Sequence, residues 1–350
     1  MKKLCALSLV MLMVVAVSGI ANADAYQDGG NRLVDLQNDD GGWDWPLDNG
    51  DSTTSSPMNT IGPITMGLAE AYAQTSDADM LAALQSAGSM LLTKTNTFSP
   101  TDGYMAVQLD SILGGTTYVD HIKTYFYDAL ATGTYQRSGD TTLYDTASYV
   151  GRIRTIRSGS TANLAAWDIG MGLYAANLVG ADTSVWTTAL KAEIDELDGN
   201  NNYDVIGLAG AVMGLASINE DYNPTAGQHA DAANLMDLAD ILAGYQISSG
   251  GFAWNSNYVI ADDYNEAIQE TAYALLALNE LDASAFAAEI LAAGGYLEAA
   301  QLATGGWENY YGGGENNEVT GEALWAMGQA PEPATMSILA LGGLLLRKRK

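Results

Sequence analysis

One phrase, Gln-x-x-x-Gly-Gly-aromatic, occurs three times: QNDDGGW from Gln37, QISSGGF from Gln246 and QLATGGW from Gln301. The last two copies begin 55 residues apart, and the first gap, 209 residues, is close to four periods of about 52 residues. A repeat of that length constrains the architecture more than any local signal, because one unit cannot bury its apolar face alone and must stack on its neighbours. Three worn copies are expected in the interval.

The spaces between the copies read as two alternating sets of helices. Segments 57–74, 119–131, 162–178, 205–218, 265–281 and 319–329 are rich in Ala, Leu, Met and Gly and apolar nearly all round, as buried helices are. Segments 30–37, 77–93, 142–156, 183–197, 230–246 and 283–301 carry more charge and suit an outer layer. Strand-like alternation is scarce. Six inner and six outer helices in alternation predict an all-α fold, an (α/α)6 toroid over residues 24–330.

Within that fold the repeated phrase reads as a clamp. Gln ends an outer helix, Gly-Gly supplies positive φ, the aromatic ring folds back onto the joint, and the glutamine amide can bond backbone groups of a neighbouring turn. None of these residue types is a nucleophile or a tuned acid. The phrase resembles the QW-like repeats of the terpenoid cyclase and protein prenyltransferase superfamily, and the resemblance spans residues 26–329. What it implies is fold. The Asp-x-Asp-Asp acid of triterpene cyclases does not occur in the sequence, and the zinc-binding Cys of the prenyltransferases has no counterpart once a leader is removed.

Such a leader is expected: Lys2 and Lys3 precede an apolar run to Ile20 and then Ala21-Asn22-Ala23, the pattern of a signal peptide cut after residue 23. The chain ends in Pro331-Glu332-Pro333, a stretch of thirteen mainly apolar residues to Leu346, and Arg347-Lys348-Arg349-Lys350. Residues 331–350 resemble the PEP-CTERM sorting tail recognised by exosortases. The resemblance implies handling by the secretion machinery and an exosortase-like protease, transient membrane attachment through the tail, and a final place in the cell envelope or extracellular matrix, commonly alongside exopolysaccharide.

The full chain has 14 Lys plus Arg against 42 Asp plus Glu. Without the two leader lysines and the four basic residues of the terminus, eight cations face 41 carboxylates, since only Glu332 is lost with the tail. A chain this acidic repels nucleic acid, and it repels polyanionic glycans unless cations intervene. The only Cys, Cys5, falls in the leader, so neither disulfides nor zinc–thiolate sites are expected beyond it.

Ligands of an α/α toroid are expected at the mouth formed by the N-terminal ends of the inner helices. Aromatic and acidic residues alternate there: Trp43, Asp44, Trp45 and Asp48; Tyr118, Asp120 and His121; Trp167 and Asp168; Tyr203 and Asp204; Trp254, Tyr264 and Glu266; Trp307, Tyr310, Tyr311, Glu315 and Glu318. Trp43, Trp45, Trp167, Trp254, Trp307 and Tyr310 are the candidates for stacking on sugar rings. Asp168 with Glu266 or Glu318 are the candidate acid–base pairs, and His121 is a candidate base. His229 reads as a surface residue. Asp198, Asn200, Asn202 and Asp204 space oxygen ligands as the first half of a calcium loop does, without the Gly and Glu that complete the pattern, so calcium is the one candidate cofactor. The arginines Arg152, Arg154 and Arg157 fall on a predicted outer helix.

Two functions follow as expectations. One is a non-catalytic envelope or matrix protein whose toroid binds a glycan or another surface component. The other is a secreted carbohydrate-active enzyme, hydrolase or lyase, working through carboxylates at the mouth.

Overall fold

The computed structural model describes residues 24–47, 56–259 and 265–330. The leader, the tail with its Pro331-Glu332-Pro333 motif, Asp48 and Tyr264 lie outside the described residues. The chain is mostly helical. Helix α1 covers residues 24–35. It is followed by α2 (Met58–Thr75), α3 (Ala78–Thr93), α4 (Asp102–Leu113), α5 (Thr117–Ile122), a π-turn segment Lys123–Tyr127, α6 (Asp128–Ala131) and α7 (Thr146–Ile156). The second half carries α8 (Leu164–Leu178), α9 (Ser184–Ile194), α10 (Asp204–Ser217), α11 (Leu235–Ala243), α12 (Ile268–Asp282), α13 (Ala287–Ala299) and α14 (Asn317–Gln329). Two short strands, β1 (Phe252–Ala253) and β2 (Glu266–Ala267), pair antiparallel before α12.

Helices α2, α4, α8, α10, α12 and α14 pack each against the next, and α14 returns to α2, so they close a ring. Their sequences explain the inner position: every residue of α10 from Asp204 to Leu215 is buried, which only a helix surrounded by others allows. The closest crossings need glycine. A Cβ on Gly67 of α2 would lie 2.1 Å from the Gly321 carbonyl oxygen of α14, and one on Gly170 of α8 would lie 2.0 Å from that of Gly210 in α10. Outer helices bury one stripe instead, as α9 does with Trp186, Leu190 and Ile194 at i, i+4 and i+8.

One inner helix differs from the sequence expectation. The segment 119–131 was expected inside, but α5, the π-turn segment and α6 pack on the outside, and α4 takes the place between α2 and α8. Helix α4 opens on the buried Asp102 and also carries Asp110, whose carboxylate accepts from the backbone N–H of Tyr118 and Val119 at the start of α5. Two acids in twelve residues hide an inner helix from a reading based on hydrophobic periodicity.

The three repeat phrases have one geometry. Gln37, Gln246 and Gln301 each donate from Nε2 to the first glycine carbonyl of their own loop, Gly41, Gly250 and Gly305. The same nitrogen also donates to a carbonyl in the next outer helix: Ala83, Glu289 and Ala25, all at 2.8–2.9 Å. The first glycine of each pair has φ near +90°. Its missing side chain matters as well, because a Cβ there would stand 2.3–2.4 Å from the carbonyl oxygen of Ser86, Ala292 or Asp28 in that neighbouring helix. Trp43 and Trp307 bury their rings completely and donate Nε1 to the carbonyls of Leu33 and Leu297, near the ends of the helices they follow. Among the described residues this full pattern occurs in these three loops. After α9 a different tie replaces it, with Asp195 accepting from Tyr222 Oη and from the backbone N–H and hydroxyl of Thr225.

Gln301→Ala removes two backbone ties at once and is expected to cost about 1–3 kcal/mol in urea denaturation. Gly305→Ala should cost more than Gly312→Ala, because both have positive φ but only the first meets a backbone oxygen. Equal losses at the two glycines would mean that φ alone matters there.

Candidate functional site

A cavity of about 680 Å3 opens at the N-terminal end of the inner ring. Met58, Leu164, Trp167, Asp168, Ile206, Gln269, Tyr273 and Glu318, all near the starts of inner helices, line it together with Trp45 and the segment from Thr97 to Thr101. The sixth side is unusual. The outer helix α7 reaches the cavity with Tyr149, Arg152, Ile153, Ile156 and Arg157, and Lys94 and Arg137 join it from adjoining loops.

Glu318 sits in the first turn of α14, behind Asn316, whose side chain accepts from the Glu318 N–H at 2.9 Å. A helix N-terminus favours the ionised form. Burial outweighs that effect and pushes the carboxyl up to about 7, helped by the charge of Asp168 and opposed by the Trp45 Nε1–H bond at 2.9 Å and by Arg157. Asp168 receives both arms of Arg157, Nε at 2.7 Å and Nη2 at 3.3 Å. Burial raises its carboxyl and the guanidinium draws it back down.

One turn deeper on α14, Glu322 is fully buried and accepts from the Tyr273 hydroxyl and, on both oxygens, from Gln269 Nε2 at 3.1 Å. Burial and then the charge of Glu318 hold it well above the usual carboxylate range. Tyr273 in turn lies against Trp167, ring centroids 3.7 Å apart. The cavity thus has a carboxyl that titrates near neutrality, a second one paired with arginine, and a floor of packed aromatics over a buried acid.

The sequence candidates divide. Trp45, Trp167, Asp168 and Glu318 meet at this cavity. Trp43 and Trp307 do not; they are fully buried in the clamps. Trp254 and Tyr310 form a separate cluster with Tyr258, at 5.5–5.6 Å between centroids. Glu266 is in β2, where its Cβ packs over Gly251. His121 lies on outer helix α5, its Nε2 2.6 Å from the Lys94 carbonyl and its ring against Tyr125.

His229 was expected at the surface and is instead 3% exposed, with Nε2 3.3 Å from Asp204 Oδ1. Asp204 also accepts from Asn163 Nδ2 and from the Tyr245 hydroxyl. This corrects the calcium-loop reading: the Asp204 carboxylate is buried in that network, while Asn200 and Asn202 are exposed and Asp198 Oδ1 accepts from the Asn200 N–H. Among the described residues no group of three His, Cys, Asp or Glu side chains could hold a metal ion.

Sequence reading missed Tyr273, Gln269, Glu322 and above all the cations. Lys94, Arg137, Arg152 and Arg157 are four of the eight basic residues between 24 and 330, and all four line the one cavity. Their concentration between residues 94 and 157 in so acidic a chain was the available signal.

No protein-family profile and no curated protein matches the chain. Solved structures do resemble it. A protein from Actinoplanes is 17% identical, with a TM-score of 0.52 over 88% of this chain and 99% of its own. The type II terpene cyclase MstE from Scytonema, in complex with geranylgeranyl dihydroxybenzoate, is 15% identical, with a TM-score of 0.52 over 92% of this chain and 99% of the cyclase. A second structure of that cyclase, with merosterolic acid A, gives 0.50 at 15% identity. At these identities the likeness establishes the fold, an α/α toroid of the terpenoid cyclase kind.

A buried acid away from the cavity gives a test of these electrostatics. Glu270 is 4% exposed, its Oε2 has no hydrogen-bond partner, and burial pushes its carboxyl up to about 8. The protonated form is favoured by folding, so its contribution is fully present below the unfolded value of about 4.3 and is lost as pH rises through about 8. Stability measured in urea should therefore decline from pH 5 to pH 8, and Glu270→Gln should flatten that decline.

Proposed function

We propose that this is an exported saccharide-processing enzyme, whose substrate enters the cavity between Trp45 and the starts of the inner helices. The observation that supports it most is the pairing in one enclosure of Glu318, which titrates near 7, with Asp168, which is oriented by Arg157. An acid catalyst works best when its pKa lies near the operating pH, and a cavity of this volume suits a small oligosaccharide. Trp45 is 58% exposed and offers its face at the mouth while its N–H holds Glu318.

The chemistry balances as hydrolysis. Glu318 gives its proton to the glycosidic oxygen as the bond from that oxygen to the anomeric carbon breaks. Water adds its hydroxyl to that carbon, and its other proton passes to Asp168. Solvent then returns a proton to Glu318 and takes one from Asp168. Glu322 beneath, its carboxyl raised by burial, holds Tyr273 and Gln269 in the floor.

Glu318→Gln should lower kcat by about 100-fold or more while leaving oligosaccharide affinity nearly intact. The wild-type rate should fall as pH rises through about 7, where Glu318 loses its proton. Saccharide binding without turnover in either protein would leave the cavity as the glycan site of a non-catalytic envelope protein.

Export belongs to the same reading and rests on the leader pattern and the Pro331-Glu332-Pro333 tail. Replacing those three residues by alanine should leave uncut precursor in the membrane fraction of a strain with an exosortase-like system. A mature mass that still includes residues 347–350 in such a strain would sink the sorting assignment.

A further inference from the structure

Taking the cavity as a saccharide site, we infer that its ligand is an acidic saccharide, a chain of carboxylate-bearing sugars, held by the basic wall of Lys94, Arg137, Arg152 and Arg157. Between residues 24 and 330 there are 41 carboxylates and eight cations, so a cation placed without regard to sign would find an acidic partner readily. Arg157 does so with Asp168, and Arg152 has a looser contact with Asp140 at 3.7 Å. Lys94 and Arg137 do not: among the described residues neither has a carboxylate within ion-pair distance, although both are partly buried.

A partly desolvated cation with no carboxylate in ion-pair distance is costly to keep, even where a longer-range charge such as Asp40 near Lys94 relieves it, and an anionic ligand offsets that cost. The wall carries four cations, while Asp168 and Glu318 are the carboxyls that line the cavity and Asp140 lies beside Arg152. The inner helices also begin around this cavity, which adds positive potential. The rest of the surface is strongly negative and would repel a polyanion, so the attraction must be local. A bare anion would need only cations. This enclosure also presents Trp45, Trp167 and Tyr203 as flat surfaces, and the amides of Asn59 and Gln269 for hydroxyls. Guanidinium groups match carboxylates in two-point geometry, and stacked sugar rings carrying one carboxylate each satisfy both sets of groups.

The test is calorimetric titration of the full protein, at fixed ionic strength, with three probes: a linear uronic-acid trisaccharide, its methyl ester and inorganic pyrophosphate. The acid form is expected to bind at least about ten-fold tighter than the ester, which differs only in charge. Lys94→Ala with Arg137→Ala should abolish that preference while the thermal transition stays in place. Should the double variant unfold, Lys94→Arg with Arg137→Lys must keep the preference. Equal binding of acid and ester would overturn the inference and leave the saccharide site standing as neutral. Binding of pyrophosphate with no binding of either sugar would overturn the saccharide reading itself, and the acidic-sugar inference with it.

Discussion

Everything in this fold depends on closing a circle, and the closure joins a glutamine clamp to the packing of α14 on α2. Gln301, at the end of the last outer helix, donates to the carbonyl of Ala25 in the first. Beneath it, α14 meets α2 through Gly321 and Gly67 at a distance no side chain permits. Without that joint the apolar flanks of α2 and α14 would face water, and the space between the inner helices would be a groove open on one side. The tie spans 276 residues of sequence, so it forms only after the whole ring is ordered, and its loop-closure cost must be met by the packing around it.

The clamps are not spread evenly. They join α11 to α13, α13 to α1 and α1 to α3, a continuous arc of outer helices. The opposite arc, from α5 to α9, holds itself together by other means, and there an additional outer element, α7, reaches inward. The division has a chemical counterpart. Trp45, Glu318 and Lys94 stand on the clamped arc, and Arg137, Arg152, Arg157 and Asp168 come from the other. The clamped half thus presents the titrating carboxyl, and three of the four cations come from the half that lacks the repeat.

The repeat was the part of the fold most legible in sequence, because Gln, Gly-Gly and the aromatic are each required by a separate backbone constraint and so appear together. Inner helices such as α8 and α10 were legible through their all-round apolar composition. Helix α4 was not, since Asp102 and Asp110 occupy positions that burial normally forbids and are tolerated only through backbone N–H bonds from other segments. For the site, the rule that inner-helix starts surround a mouth points to Trp167, Asp168 and Glu318, and these three line one cavity. It failed for Trp43 and Trp307, whose spacing is that of a structural motif. It could not reveal Arg152 and Arg157, because the reach of α7 to the cavity arises from the irregular arc and not from the period.

The likeness to terpene cyclases is a likeness of scaffold, and the charge distribution is where this chain departs from anything the scaffold dictates. A toroid needs an apolar interior and clamped outer helices; it does not need four cations at one mouth. In a chain with about five acids for each base, the cheapest use of a lysine or arginine is to relieve repulsion on the acidic surface, where an exposed pair is worth less than about 1 kcal/mol but costs nothing to desolvate. Holding Lys94 and Arg137 partly buried with no ion-pair partner among the described residues forgoes even that gain. Such an arrangement makes physical sense when the missing counter-charge arrives from outside, and it places the specificity of the site in residues that contribute nothing to the ring itself.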